Sequence, residues 1–179
     1  MSFIIRKANF GDINNVEKLY DNVLDFEAEN GSYTNWQKGL YPTRKYAETA
    51  ISLGSLYVGI ENGEMVGSVI LNHIQPEEYI KVDWKFEAEG NDVMVIHTLC
   101  INPRYRKMSL GTRFVDFSEE LARSFGCSVI RLDTYEGNIP AAALYSKLGY
   151  RYSGSVEVNF QNVIFETLKC FEKEMKNGQ

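Results

Sequence analysis

Residues 93–134 read as strand, loop, helix and strand, and that succession constrains the fold more than any other stretch of the chain. Residues 93–101, VMVIHTLCI, are apolar on both alternating faces, as expected of a strand covered on two sides, with His97 the one titratable interruption. After a turn at Asn102-Pro103, Leu110, Phe114, Phe117, Leu121 and Phe125 recur at helical spacing until Gly126. Residues 128–134 form the next strand. A helix joining two such strands implies a right-handed crossover and a locally parallel pair, which places the chain in the α/β class.

The flanking segments fill in the sheet. Residues 3–8 read as a first strand, and Asn9 with Asp12 forms a variant capping box before Ile13, Val16, Leu19, Tyr20, Val23 and Leu24, a helix reaching about residue 29 and closed by Asn30-Gly31. A second helix covers residues 43–53. Strands at 56–60 and 65–71 are joined through Asn62-Gly63, a strong hairpin signal. Residues 75–91, with Trp84, form a polar excursion before the central strand. Asn138 caps a further helix that ends near Leu148, and residues 150–158 and 163–171 make a final antiparallel pair, followed by a frayed tail over 173–179. With 179 residues, no repeat and no biased linker, one domain spanning 1–179 is expected.

Charge narrows the function. The chain carries 24 acidic residues and a formal charge of −5, yet residues 93–115 contain no Asp or Glu, and Arg104, Arg106 and Lys107 cluster just before a helix start. Helix N-termini offer unpaired N–H groups and the positive end of a dipole, so an anion is expected there. The acidic balance argues against nucleic acid, and no apolar run approaches the roughly 20 residues of a membrane span, so a cytoplasmic protein is expected. Cys100, Cys127 and Cys170 have neither disulfide nor zinc spacing and read as buried thiols. With His73 and His97 the only histidines, no metal is expected, and the absence of G-x-G-x-x-G disfavours a dinucleotide-binding unit.

Two stretches carry a resemblance. Residues 101–111, INPRYRKMSLG, are similar to the R/Q-x-x-G/A-x-G/A acetyl-CoA loop of the GNAT superfamily of N-acetyltransferases, and Asn138-x-x-Ala141-x-x-Leu144-Tyr145-x-Lys147-x-Gly149-Tyr150 resembles its N-x-x-A-x-x-L-Y-x-K-x-G-F/Y helix. Ser109 departs from the loop pattern by replacing its first Gly or Ala, and Lys107 stands where a further Gly often occurs; if the backbone needs positive φ there, the cost is about 1–2 kcal/mol. The resemblance implies the GNAT-type acyl-CoA N-acyltransferase fold, a mixed central sheet flanked by helices, with acetyl-CoA as cosubstrate.

It further implies that the pyrophosphate lies over the backbone of Arg106, Lys107, Met108, Ser109, Leu110, Gly111 and Thr112. The pantetheine arm would pair with Leu99, Cys100 and Ile101. Asn138 would either contact that arm or serve as N-cap, and Tyr145 would be the general acid. For the base, His97 is a candidate because its ordinary pKa lies near neutrality, with Asp133, Glu136 and Glu27 as competitors. Tyr33, Trp36 and Trp84, with Glu27 and Asp133, are candidates for the acceptor wall, suited to a small amine, while Tyr41 shares the loop of residues 32–43, whose aromatics read equally as core padding. The partners expected are acetyl-CoA and a small-molecule amine, with no nucleic acid and no membrane, in a monomer or homodimer. A non-catalytic acyl-CoA-binding sensor or assembly module, and a protein or peptide N-acetyltransferase, are the alternatives.

Overall fold

A computed structural model describes residues 3–106 and 108–176. Its strands are β1 (Phe3–Lys7), β2 (Leu56–Glu61), β3 (Glu64–Asn72), β4 (Val93–Ile101), β5 (Val129–Tyr135), β6 (Arg151–Phe160) and β7 (Ile164–Glu174). The helices are α1 (Ile13–Asn30), α2 (Arg44–Ser52), α3 (Leu110–Ser124) and α4 (Ile139–Lys147). The strands form one mixed sheet in the order β1-β2-β3-β4-β5-β7-β6, flanked by helices. The parallel pair expected from the crossover is β4 with β5, whose ladder runs from Val93↔Val129 to Ile96↔Leu132.

Backbone contacts divide the chain into two compact units. The first comprises Met1–Ser32, Trp36–Leu71 and His97–Phe117. The expected capping box is present: the Asn9 side chain accepts from the Gly11 N–H at 2.8 Å, and the Asp12 carboxylate accepts from the Asn9 N–H at 2.9 Å. α1 therefore starts in register to bury Val16, Leu19, Tyr20 and Val23 with Ala47, Ile51, Leu56, Val58 and Cys100. In the hairpin turn, Asn62 and Gly63 take φ of 51° and 83°, the conformation that their dipeptide favours.

A second packing device in this unit was not expected. Gly59 and Gly67 face each other across β2 and β3, and a Cβ on either would lie 2.6 or 2.7 Å from the Phe114 ring. Two missing side chains thus make room for one phenyl group, and that group seats the first turns of α3 against the sheet.

The second unit comprises Tyr33–Asn35, Asn72–Ile96 and Ser118–Gln179. Val93, Val95, Val156 and Cys170 form its core with Tyr79 and Val82 from the excursion, and Trp84, Ala88 and Leu168 pack against them. The excursion is tied down, with 3₁₀ turns at Glu77–Lys81 and Gly90–Asp92. Arg131 on β5 donates to Gln75 at 2.6 Å and to the Phe86 carbonyl at 2.7 Å, while buried Glu172 on β7 accepts from the Lys85 N–H at 2.7 Å. The backbone groups of an irregular segment thereby find partners on the two strands beneath it. The frayed tail needs correction: β7 continues through Lys173 and Glu174, and the Met175 N–H donates to the Ser128 carbonyl at 2.8 Å with its side chain buried. Edge pairing extends the strand beyond its apolar run; residues 177–179 lie outside the described residues.

Candidate active site

The first unit holds the expected anion cradle. Buried Asn102 ends β4: its N–H donates to the Val66 carbonyl at 2.9 Å and its side chain accepts from the Arg104 N–H at 3.1 Å, turning the chain through Pro103–Tyr105. The exposed Arg106 guanidinium lies 3.9 Å from the centre of the Phe26 ring, a cation–π contact that holds it at the loop. Ser109 takes φ 56°, and its carbonyl accepts from the Arg113 N–H at 3.2 Å. The left-handed turn is therefore made by a serine, and the N–H groups of Leu110, Gly111 and Thr112 precede the first bond within α3. Leu110 is buried and anchors this start; Met108 and Ser109 are exposed, and Gly111 and Thr112 half-buried. Exposed arginines, a serine hydroxyl and a helix N-terminus fit a pyrophosphate. Lys107 lies outside the described residues.

The end of β4 belongs to the same unit. Half-buried His97 is followed by Thr98 at φ 47°, an uncommon conformation for a β-branched residue, whose hydroxyl hydrogen-bonds that of Tyr41. Tyr41 sits edge-on to Trp36 at 5.7 Å and to Tyr46 at 5.0 Å, so Trp36 and Tyr41 pack around the strand. Leu99 and Ile101 are half-buried and Cys100 is buried between them. Burial, assisted by the charge of Glu27, pushes the Cys100 thiol far up, which makes it a poor nucleophile. Glu27 is buried on α1 and accepts from the Ser32 hydroxyl at 3.1 Å.

In the second unit, Tyr145 is 5% exposed on α4, with its ring 5.9 Å from both Tyr150 and Phe171. Among the described residues its hydroxyl makes no hydrogen bond, and burial together with the Asp133 charge raises its pKa. Asp133 on β5 accepts from the Tyr79 hydroxyl at 2.8 Å, and burial, opposed by that bond and aided by Glu78, raises its pKa to about 6. Asp133 also helps raise Glu166 on β7, whose carboxylate is shifted first by burial and accepts from Asn35 at 3.0 Å. Asp133 thus acts electrostatically on each of Tyr145, Tyr79 and Glu166.

Of these, Tyr145 and Asp133 were expected from the sequence, whereas Tyr79, Glu166 and Asn35 were not. For Glu166 the sequence signal is alternation: Asp133 pairs with Cys170, and Leu168 and Glu166 follow on the same side of β7. Tyr33 lies in this unit and is 40% exposed. Trp84 donates its indole N–H to the Tyr79 carbonyl at 3.0 Å and stacks 4.3 Å from the Arg131 guanidinium. The Asn138 side-chain oxygen accepts from the Ala141 N–H at 3.2 Å and so serves as N-cap, leaving its amide N–H groups for other contacts. No helix among the described residues is long and apolar enough to cross a membrane.

Residues 21–150 match the acetyltransferase (GNAT) family. The chain belongs to this family. Within it, the GNAT chain is 36% identical over 89 residues to glucosamine 6-phosphate N-acetyltransferase of Trypanosoma brucei brucei, covering 50% of this chain and 52% of that one. It is 30% identical over 83 residues to spermine/spermidine N(1)-acetyltransferase of Bacillus subtilis strain 168, covering 46% and 55%. The matched stretches span about half the length of each. Its fold is that of a GNAT-family acetyltransferase structure from Streptococcus agalactiae, with TM-score 0.82, 22% identity and coverage of 98% and 96%. A Salmonella typhimurium structure with its cofactor acetyl-CoA superposes at TM-score 0.68, with 17% identity and coverage of 99% and 96%.

Proposed function

We propose that this chain, as a single domain, is an acetyl-CoA-dependent N-acetyltransferase that acetylates a primary amine of a small molecule by direct attack, with Tyr145 as general acid. The carrying observation is Tyr145, 5% exposed on the helix that matches the family pattern, whose hydroxyl has no hydrogen-bond partner among the described residues and is not sealed from solvent. A phenol in that state is ready to donate a proton to a departing thiolate. Like any tyrosine it carries its proton at neutral pH, as an acid must, and burial beside Asp133 holds that proton more tightly.

Acetyl-CoA supplies the activated acetyl group when bound. The cradle at Arg106, Ser109, Leu110, Gly111 and Thr112 would hold its pyrophosphate, and the backbone of Leu99, Cys100 and Ile101 its pantetheine arm. An N–H of that strand would donate to the thioester oxygen. An incoming ammonium must lose a proton before it can attack. Asp133 is the better supported base: it is ionised at neutral pH, hydrogen-bonded by Tyr79, and close enough to raise the pKa of Tyr145. His97, half-buried on β4, is the second candidate. That two relatives are named for acetylation of glucosamine 6-phosphate and of spermine or spermidine supports a small amine as acceptor.

The test is thiol release from acetyl-CoA across an amine panel, for the wild type and Tyr145→Phe. The variant is expected to lose about 10²-fold or more in kcat while acetyl-CoA binds unchanged. Undiminished turnover would refute the acid assignment. Acetyl-CoA binding without turnover on any amine would favour a sensor.

A further inference from the structure

On the proposed acetyltransferase reading, we infer that Tyr41 is a positioning residue: its hydroxyl holds Thr98 in the left-handed conformation that turns the Leu99 N–H toward the thioester oxygen. All three residues belong to the first unit, and four observations carry this.

First, the turn is out of place. Thr98 lies inside β4 at φ 47°, where a β-branched side chain crowds the backbone. Such a conformation persists only where its surroundings impose it. The ladder of β4 with β5 runs from Val93 to Ile96 and ends before this turn.

Second, the surroundings supply a hold on it. The hydroxyl of buried Thr98 hydrogen-bonds that of Tyr41, its one side-chain partner among the described residues. A buried hydrogen bond and a left-handed turn at a β-branched residue are of similar size in free energy, so the one can secure the other.

Third, Tyr41 is itself fixed. Its N–H donates to the Gln37 carbonyl at 3.0 Å, and its carbonyl accepts from the Gln37 N–H at 3.2 Å. Between them, Lys38 pairs with Asp25 on α1 at 2.6 Å. Two residues further on, Thr43 caps α2 by accepting from the Tyr46 N–H at 3.3 Å. The Tyr41 ring stands edge-on to both Trp36 and Tyr46. The hydroxyl therefore comes from a closed loop anchored on two helices.

Fourth, the turn decides where the following donors point. Backbone groups alternate sides along a strand. The Asn102 N–H donates to the Val66 carbonyl on β3, and a Cβ on Gly67 of β3 would lie 2.8 Å from the Cys100 carbonyl. Cys100 and Asn102 thus face β3 with their backbone groups, so Leu99 and Ile101 direct theirs away from it. Leu99 is the first of these beyond Thr98, and the φ of Thr98 sets its bearing most directly.

The experiment measures steady-state thiol release by the full chain on an amine panel, and reads the backbone at residue 98 by NMR from its carbon shifts and HN–Hα coupling. Tyr41→Phe keeps the ring contacts and loses the hydroxyl. It is expected to lower kcat about tenfold or more while the KM for acetyl-CoA changes less than about twofold. Thr98→Val removes the other hydroxyl of the pair and should do the same, so it stands in if thermal melts show that Tyr41→Phe fails to fold. Both should move residue 98 toward the extended region. Glycine adopts the left-handed conformation unaided, so in a Thr98→Gly background Tyr41→Phe is expected to cost less than about twofold in kcat. Full kcat in a folded Tyr41→Phe overturns the inference, as does an unmoved residue 98. A loss that persists in full with Thr98→Gly also overturns it and places the hydroxyl on the acceptor instead. Amine turnover by the wild type with any of these results sinks this inference alone. A residue 98 that relaxes in Tyr41→Phe, in a protein whose wild type turns over no amine, upholds the hold on Thr98 and sinks the transferase reading.

Discussion

Asp133, the proposed base, shows how a chemical role and a stable fold pull in opposite directions. Its pKa rises from the ordinary aspartate value to about 6 on folding, chiefly because burial disfavours the ionised form. An acid shifted upward favours the folded state while protonated. Its contribution is complete below about pH 4 and disappears as pH rises through 6. At pH 8 the ionised group therefore destabilises the fold, by up to about 3 kcal/mol. Asp133→Asn, which still accepts from Tyr79, is expected to raise the urea midpoint at pH 8 and to leave it unchanged at pH 4. The same substitution should remove the ascending limb near pH 6 in kcat/KM. If that limb survives there and vanishes in His97→Ala, the base is His97. Ser109 is the complementary case, a side chain in a left-handed turn that glycine usually occupies; that mismatch is visible in the sequence, because the loop pattern shows which position is unusual.

At the level of elements, the legible features were those coded locally. The capping box at Asn9 and Asp12, the Asn62-Gly63 turn, the doubly apolar β4 and the 3.6-residue repeat of α3 all depend on neighbours within a few residues. What stayed hidden depends on pairing between distant strands. Gly59 and Gly67 are unremarked glycines in two apolar runs until the register of β2 with β3 sets them opposite each other beneath Phe114. Arg131 and Glu172 are single charges in apolar strands, and only the sheet order makes them the clamp that turns residues 75–91 from a loose excursion into packed structure. Glu166 is hidden for the same reason. Gly67→Ala puts a methyl group against Phe114 and the Cys100 carbonyl, and is expected to destabilise the protein by about 1–3 kcal/mol. Because Phe114 seats the start of α3, the KM for acetyl-CoA should also rise several-fold in steady-state assays while the KM for the amine changes little. A KM for acetyl-CoA that does not move would separate this glycine pair from the cradle.

Over the whole molecule, charge is sorted by the two ligands it would serve. The net charge is −5, yet the stretch of residues 93–115 carries only basic charge, and among the described acids of the second unit only Glu119 and Glu172 form ion pairs. A cationic acceptor is attracted by the overall field, whereas acetyl-CoA is attracted only locally. Raising the salt concentration from about 50 to 500 mM shortens the screening length from roughly 14 to 4 Å, so both KM values are expected to rise, that for the amine more steeply. Salt-independent KM values would remove long-range charge from the account.

The place of β7 between β5 and β6 bears on how the protein is made. Strands are synthesised in the order 5, 6, 7 but lie in the order 5, 7, 6, so β6 has no place on the sheet until β7 has emerged from the ribosome. A nascent chain that has passed Phe117 already contains every residue of the first unit, including the cradle. It still lacks Glu166, Cys170 and Glu172. The loop proposed to hold the pyrophosphate is thus complete before Asp133, Tyr145 and the whole of β7 exist.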